Sequence, residues 1–344
     1  MRDPATPPPG PEVPEELLEP FRGRTALVTG GLGFVGSNLV QALARGGARV
    51  RVLDALLPPY GGNWFNLAGV EDRVSVLVAD VRDRRAVTAA VDGADVVFHV
   101  AAQTSHVDSM EDPFTDADMN VRGTLVVLEA LRRHAPGARL IHLGTRAQHG
   151  AVGRDVPGED GPFRPVDVYG ATKHAAEQLC LVYHRAWGLD TRSLRATNTY
   201  GPRHQVRHGK YGILNWFVRL ALEDRELPVF GDGAQLRDFL YVDDLVAALL
   251  AFAAAPGLAG RALPAGSGVG IPFREMAEAI VRTAGRGRVV PRPWPADRKR
   301  IETGDFVFDP APLREATGWE PRVPFQEGLA RTVAWYRTWG DRYW

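Results

Sequence analysis

The sequence predicts an α/β protein: a doubly wound parallel sheet followed by a smaller C-terminal lobe. Three observations carry that prediction. Short apolar runs alternate with amphipathic helical ones from Arg24 to about residue 200. The first apolar run stops at a glycine cluster that opens a helix, as a βα turn requires. Beyond residue 200, glycine, proline and aromatic residues become frequent and the apolar runs shorten.

The first twenty residues, MRDPATPPPGPEVPEELLEP, hold seven prolines and no apolar centre. This composition is unlike a secretory signal and predicts an extended, disordered tail over residues 1–22. The sheet domain is expected over 23–200. TALVTG (25–30) reads as a buried strand with an abrupt glycine stop, and FVGSNLVQALARGG (34–47) as a helix with a Gly-Gly stop. RVRVLD (49–54), RVSVLVAD (73–80), ADVVFHVAA (94–102) and ARLIHLGT (138–145) are strand-like, with helices between them near 83–92 and 116–134. A further helix–strand unit covers 168–187 and 191–195. Over 201–344, helices are expected at 213–223, 243–254, 272–284 and 324–338, separated by loops and short strands. The division near residue 200 is soft, because segments can pass between the lobes.

The chain carries 41 basic and 41 acidic residues, and its arginines form no stripe, so nothing attracts a nucleic acid. The single cysteine, Cys180, excludes an intrachain disulfide framework and a thiolate metal cage. The nine histidines show no metal-ligand spacing, so no metal is expected. No apolar run approaches the ~18 residues of a membrane span. A cytoplasmic location is the expectation.

TGGLGFVG places Gly30, Gly31, Gly33 and Gly36 between the first strand and its helix. The pattern reads G-x-G-x-x-G from Gly31, or G-x-x-G-x-x-G from Gly30. Either form allows a tight turn and lets a diphosphate approach backbone amides with no Cβ in the way. That is the signature of a Rossmann-type dinucleotide site. Asp54 ends the second strand, where a carboxylate accepts hydrogen bonds from an adenosine ribose and repels a 2′-phosphate, so NAD is favoured over NADP.

Lysine occurs only three times, at Lys173, Lys210 and Lys299, and one of these lies four residues after Tyr169 in VYGATK. Eight tyrosines and three lysines predict about 0.07 chance matches to Y-x-x-x-K in a chain of this length, so this match calls for a reason. The i, i+4 spacing puts both side chains on one helix face. The ammonium and the helix N-terminus are expected to lower the phenol's pKa, so that Tyr169 takes a proton from a substrate hydroxyl. Thr145 ends the strand RLIHLGT, where its hydroxyl faces the crevice beyond the strand ends.

With these residues in place the chain resembles the extended short-chain dehydrogenase/reductases of the NAD-dependent epimerase/dehydratase family, from about residue 24 to 338. Matching stretches are VTGGLGFVGSNL, DVRD (80–83), FHVAAQTS (98–105), NVRGTLVVLEA (120–130), VYGATK, SLRATNTYGPR (193–203), VFGDGAQLRDFLYVDD (229–244) and TGWEPRVPFQEGL (317–329). The resemblance implies NAD as cofactor and a nucleotide-diphosphate sugar, a UDP-sugar foremost, as substrate. Gly30, Gly33, Phe34, Val35 and Gly36 would cradle the diphosphate of NAD and Asp54 its adenosine ribose. Asp80 and Val81 would flank the adenine, Val100, Ala101 and Ala102 would line the cofactor, and Asn120 would support it. Thr145, Tyr169 and Lys173 would be the catalytic group, with Tyr169 and Lys173 also touching NAD. Thr104, Asn198 and Arg237 would meet the sugar nucleotide, with Arg298 or Arg300 as a further phosphate partner. The C-terminal lobe would bind substrate, and pairing through helices near 116–134 and 168–187 would give a homodimer.

One departure selects the chemistry. Sugar 4,6-dehydratases of this family carry Asp-Glu directly after the threonine, and uronate decarboxylases a glutamate. This chain has Arg146 and Ala147 there, and His149 where many members have tyrosine. The expected activity is therefore inversion at C4 through a transient 4-keto sugar, as in a UDP-glucose 4-epimerase. The alternatives are a dehydratase, a uronate decarboxylase or uronate 4-epimerase, a 4-keto-sugar reductase, or a non-catalytic NAD sensor. Arg146 reads either as a partner for a uronic-acid carboxylate or as a packing residue.

Overall fold

The computed structural model describes residues 7–152 and 158–344. Its strands are β1 (Thr25–Thr29), β2 (Arg49–Asp54), β3 (Val74–Val78), β4 (Val96–His99), β5 (Arg139–Thr145), β6 (Thr191–Ala196), β7 (Asn198–Tyr200), β8 (Glu226–Phe230), β9 (Leu236–Tyr241), β10 (Ala262–Ala265), β11 (Gly270–Pro272) and β12 (Arg288–Arg292). Seven of them form a parallel sheet in the order β10-β6-β5-β4-β1-β2-β3. The apolar run of β1 is explained by its central place, since all five of its residues are buried. The chain leaves β1 towards β2 and β3, then returns to β4 on the other side. That reversal opens a crevice between the strand ends of β1 and β4, where ligands of such sheets bind.

The helices expected at 34–47, 83–92 and 168–187 form as Phe34–Arg45, Arg84–Val91 and Val168–Trp187. The single helix expected over 116–134 does not. Pro113–Ala117 and Gly123–His134 are α-helical, but Asp118–Arg122 between them is a π turn. The extra residue of that turn carries Asn120 into contacts described below, a common use of π turns near functional sites.

The soft boundary at residue 200 proves to be interleaved. The Val242–Ala254 helix is buried all round over residues 242–253 and apolar after Asp244, because it packs in the sheet's main core. It leads into β10, which pairs with β6 at the sheet edge. The sheet domain thus reclaims the chain after a first excursion. The smaller lobe consists of the Ile213–Leu222, Phe273–Ala284 and Phe325–Trp339 helices, the parallel pair β8–β12, and the three-stranded sheet β11-β9-β7, with its own apolar core.

The disordered tail expected over residues 1–22 is overturned where it is described; its first six residues lie outside the described part. Residues 7–14 run as a strap over the body, followed by Glu15–Leu18 as one helical turn and a buried Phe21. Arg203, buried over the Trp335 ring, donates through Nη2 to the carbonyl of Pro9 at 2.6 Å. The amide of Glu12 donates to Asp243 at 3.0 Å. Proline composition signals an extended chain correctly, but it carries no trace of buried partners waiting for backbone groups.

Asp243 yields a stability prediction. Burial pushes its carboxyl up to about 7, against the attraction of Arg203 and Arg331. Between the unfolded value of 3.8 and about 7 the folded chain holds the extra proton, so this residue makes stability fall as pH rises through that window. Asp243→Asn keeps an acceptor for Glu12 and removes the charge. It is expected to add about 1–2 kcal/mol at pH 8 and almost nothing at pH 4 in urea unfolding. The same gain at both pH values would show that burial of this charge is not the cause.

Candidate active site

The crevice widens into a cavity of about 820 Å³ between the sheet's C-terminal edge and the smaller lobe. Its floor is the glycine turn. Gly30 has φ +69°, and a Cβ there would lie 2.9 Å from the backbone of Ala101. A Cβ on Gly36 would lie 2.1 Å from the carbonyl oxygen of Gly30. Gly33 caps the Phe34–Arg45 helix with no side-chain hydrogen bond, leaving first-turn amides directed at the cavity. Gly31 does not line the cavity; its missing Cβ makes room for Val52. The glycines of this turn that line the cavity are Gly30, Gly33 and Gly36. An uncapped helix start over a turn stripped of side chains fits a diphosphate.

Asp54 lines the cavity with its carboxylate already aimed, Oδ2 accepting from the amide of Leu32 at 2.9 Å and Oδ1 from that of Leu56 at 2.8 Å. Burial raises its pKa, and those two amides counter the shift. Asp80 and Val81 line the same end, and Arg82 grips Asp80 through both carboxylate oxygens at 2.9 and 2.7 Å. Val100, Ala101, Ala102 and Thr104 form the wall after β4. The hydroxyl of Thr29 accepts from the amides of Val100 and Ala101, both at 3.2 Å, and so fixes that wall. Asn120 does not reach the cavity. Its Oδ1 accepts from the amide of Gln103 at 2.9 Å, and its Nδ2 donates to Gln103 and Thr172 at 3.2 Å, so it holds the wall from behind.

Thr145, Tyr169 and Lys173 come together on the opposite wall. Lys173 Nζ donates to His142 Nε2 at 3.0 Å, which leaves the His142 Nδ1 proton for Ser193 Oγ at 3.0 Å. Ser193 donates in turn to Glu177, which pairs through both oxygens with Arg195. Burial lowers the pKa of Lys173 to about 8 and keeps His142 neutral, so the imidazole serves as an acceptor that orients the ammonium. A compact ammonium with two further N–H bonds suits this position, whereas a planar guanidinium does not.

The expected acidification of Tyr169 is not what the protein alone provides. Burial pushes the phenol up to about 12, with Asp167 and Asp116 adding to the rise, while a hydrogen bond with Thr145 and the charge of Arg146 pull it down. Desolvation outweighs the ammonium and the helix N-terminus on which the expectation rested. His106 was not singled out from the sequence. Its ring meets Tyr169 edge-on at 5.1 Å, its Nδ1 pairs with Asp167, and it lines the cavity.

At the far end stand Asn198, Arg237 and Arg298, with Arg146 between them and Thr145, its Nε bonded to Asn198. Arg300 does not line the cavity, because the short Ala296–Arg300 helix turns Arg298 inward, over the Phe230 ring. Tyr60, Tyr211, Trp216, Phe230, Trp294 and Glu302 complete this end. Trp294 and Glu302 lie in loops with no pattern readable from the sequence. His149 is buried against Phe163 and the Pro162 carbonyl, outside the cavity.

A doubly wound sheet with an uncapped glycine cradle, a strand-end carboxylate and a Thr-Tyr-Lys cluster defines a dinucleotide-dependent enzyme of the Rossmann type. The sequence pattern of the NAD dependent epimerase/dehydratase family matches residues 26–264, and the chain belongs to that family. It is 35% identical over 320 residues to a dTDP-glucose 4,6-dehydratase of Streptomyces niveus, covering 90% of this chain and 92% of the relative. It is 34% identical over 318 residues to a UDP-glucose 4-epimerase of Mycolicibacterium smegmatis, covering 90% and 98%. The DesIV dTDP-glucose 4,6-dehydratase of Streptomyces venezuelae, solved with NAD bound, superposes with a TM-score of 0.84 at 31% identity, covering 91% and 97%. The cofactor is NAD, and the family acts on nucleotide sugars as epimerases and 4,6-dehydratases. No described helix is long and apolar enough to cross a membrane.

Proposed function

We propose that the protein is an NAD-dependent epimerase of a nucleotide-diphosphate sugar, inverting C4 through a transient 4-keto sugar. One observation carries this reading. Three carboxylates line the cavity among the described residues, Asp54, Asp80 and Glu302, and each is engaged. Asp54 is held by two amides, Asp80 by Arg82 and Glu302 by Arg237. The two positions after Thr145 are Arg146 and Ala147, so no carboxylate stands there to remove a C5 proton or assist departure of a C6 hydroxyl.

NAD, when bound, supplies a reversible two-electron acceptor. Tyr169 takes the C4 hydroxyl proton as the alcohol becomes a ketone and returns it when the ketone is reduced on its other face. Thr145 holds the reacting oxygen beside the phenol. Lys173, oriented by His142, supports the phenolate and a ribose. Asn198, Arg237 and Arg298 hold the nucleotide diphosphate while the sugar turns. A homodimer and a UDP carrier belong to the same reading.

Elimination is the second reading, favoured by His106. Backed by Asp167, this imidazole brings another proton carrier beside Tyr169. The experiment that separates the two is incubation of the NAD-loaded protein with UDP-glucose, UDP-galactose and their uronic acids, with no added reductant. The expected result is an equilibrium mixture of C4 epimers. Loss of water, loss of carbon dioxide or a need for stoichiometric reductant overturns the epimerase reading.

A further inference from the structure

Arg146 is a cation without an anion. It leaves β5 directly after Thr145, so it hangs over the end of the cavity where the sugar meets Tyr169. Its Nε donates to Asn198 Oδ1 at 3.0 Å and its Nη1 to Thr303 Oγ1 at 3.3 Å, both neutral partners. Its carbon centre lies 5.4 Å over the Phe306 ring, which flattens the guanidinium into place. The carboxylate in this neighbourhood, Glu302, is taken by Arg237, which also donates to the carbonyls of Leu236 and Gly304. Glu302 and Asp167 attract Arg146 through space, but no described carboxylate forms an ion pair with it. Burial, together with the charge of Arg237, lowers the Arg146 pKa to about 10, so the attraction of Glu302 and Asp167 does not make up for the lost water.

Holding an unpaired cation out of water is costly unless an anion arrives to meet it. The diphosphate has Arg237 and Arg298 further along the cavity, whereas Arg146 adjoins the hydroxyl that faces the reacting carbon. We infer that the sugar itself carries a carboxylate, at C6 of a uronic acid, and that Arg146 receives it. The planar guanidinium still has Nη2 and part of Nη1 to offer, a match for the two carboxylate oxygens. The inference accounts for the departure after Thr145. A uronic acid has no C6 hydroxyl to eliminate, so the acid–base pair of a 4,6-dehydratase has no work to do on it. It deepens the epimerase reading and rests on it only for what happens at C4.

The test measures binding, so that turnover does not enter. NAD-loaded Tyr169→Phe protein is titrated with UDP-glucuronate and UDP-glucose, and with the corresponding dTDP-sugars, by calorimetry. The uronate is expected to bind at least about tenfold more tightly than the neutral sugar on the preferred nucleotide. Arg146→Gln in the same background should abolish that preference while changing the affinity for the neutral sugar by less than about threefold. Arg146→Lys should recover part of it, since it keeps the charge but not the fork. Equal affinities for uronate and neutral sugar overturn the inference, as does failure of every uronate to bind. An equal loss for both sugars in Arg146→Gln places Arg146 on the diphosphate instead and overturns it too. A uronate preference with no C4 epimers from the active enzyme would instead sink the epimerase reading and leave this one standing.

Discussion

Tyr169→Phe is expected to lower turnover by about 10³-fold while NAD still binds. The substitution removes a single oxygen. The ring stays buried and keeps its edge contact with His106, so the Val168–Trp187 helix has no reason to shift. The glycine cradle and Asp54 belong to other elements, the β1 turn and β2, and do not touch the phenol's oxygen. What is lost is the group that exchanges a proton with the sugar hydroxyl. The phenol sits at about 12 in the protein alone even with Thr145 and Arg146 pulling it down, and losing the Thr145 bond would leave it higher still. Thr145→Val should therefore slow turnover as well and move the rising limb of its pH profile to higher pH. The measurements are single-turnover rates, NAD titration by protein fluorescence, and a thermal melt to confirm the fold. If Tyr169→Phe keeps more than about a tenth of the activity, the phenol is not the proton carrier.

The parts of this molecule that could be read from sequence are those set by neighbours along the chain. β1 and β4 declare themselves because strands buried on both faces are mostly apolar, and β2 by the alternation of arginines with buried valines. The glycine turn and the Tyr169–Lys173 pair are likewise local, one fixed by backbone conformation and the other by helix spacing. What the sequence hid is set by partners far away in it. The π turn at Asp118–Arg122 answers to Asn120 reaching Gln103 and Thr172. The strap at residues 7–14 answers to Arg203 and Asp243, about two hundred residues on. Lys173 was recognisable, but not its partner His142, whose position depends on β5 lying beside β6. The direction of the Tyr169 shift was misread for the same reason, since burial is a property of the assembled site.

Gly36→Ala should do the most damage to cofactor binding, and a comparison with Gly33→Ala shows why. A Cβ at residue 36 would lie 2.1 Å from the Gly30 carbonyl oxygen, 2.8 Å from its carbon and 3.0 Å from the Gly31 Cα. All three are backbone atoms, so no side chain can rotate out of the way. Gly30 has no freedom to retreat, because φ +69° and the backbone of Ala101 fix it between β1 and β4. The start of the Phe34–Arg45 helix must therefore lift off the turn, spreading the amides that face the diphosphate. NAD affinity is expected to fall at least about 100-fold, with about 1–3 kcal/mol of stability lost to overpacking. Gly33 differs in kind. Its φ is −79°, and a Cβ there would meet only the Gly30 carbonyl oxygen, at 3.3 Å. The protein alone tolerates that methyl group; only a ligand lying against the turn would collide with it. Gly33→Ala should thus weaken NAD binding while leaving the melting temperature within about 2 °C of the parent. If it leaves NAD affinity unchanged, the diphosphate does not pass over this turn, and the cradle assigned to Gly30, Gly33 and Gly36 is wrong.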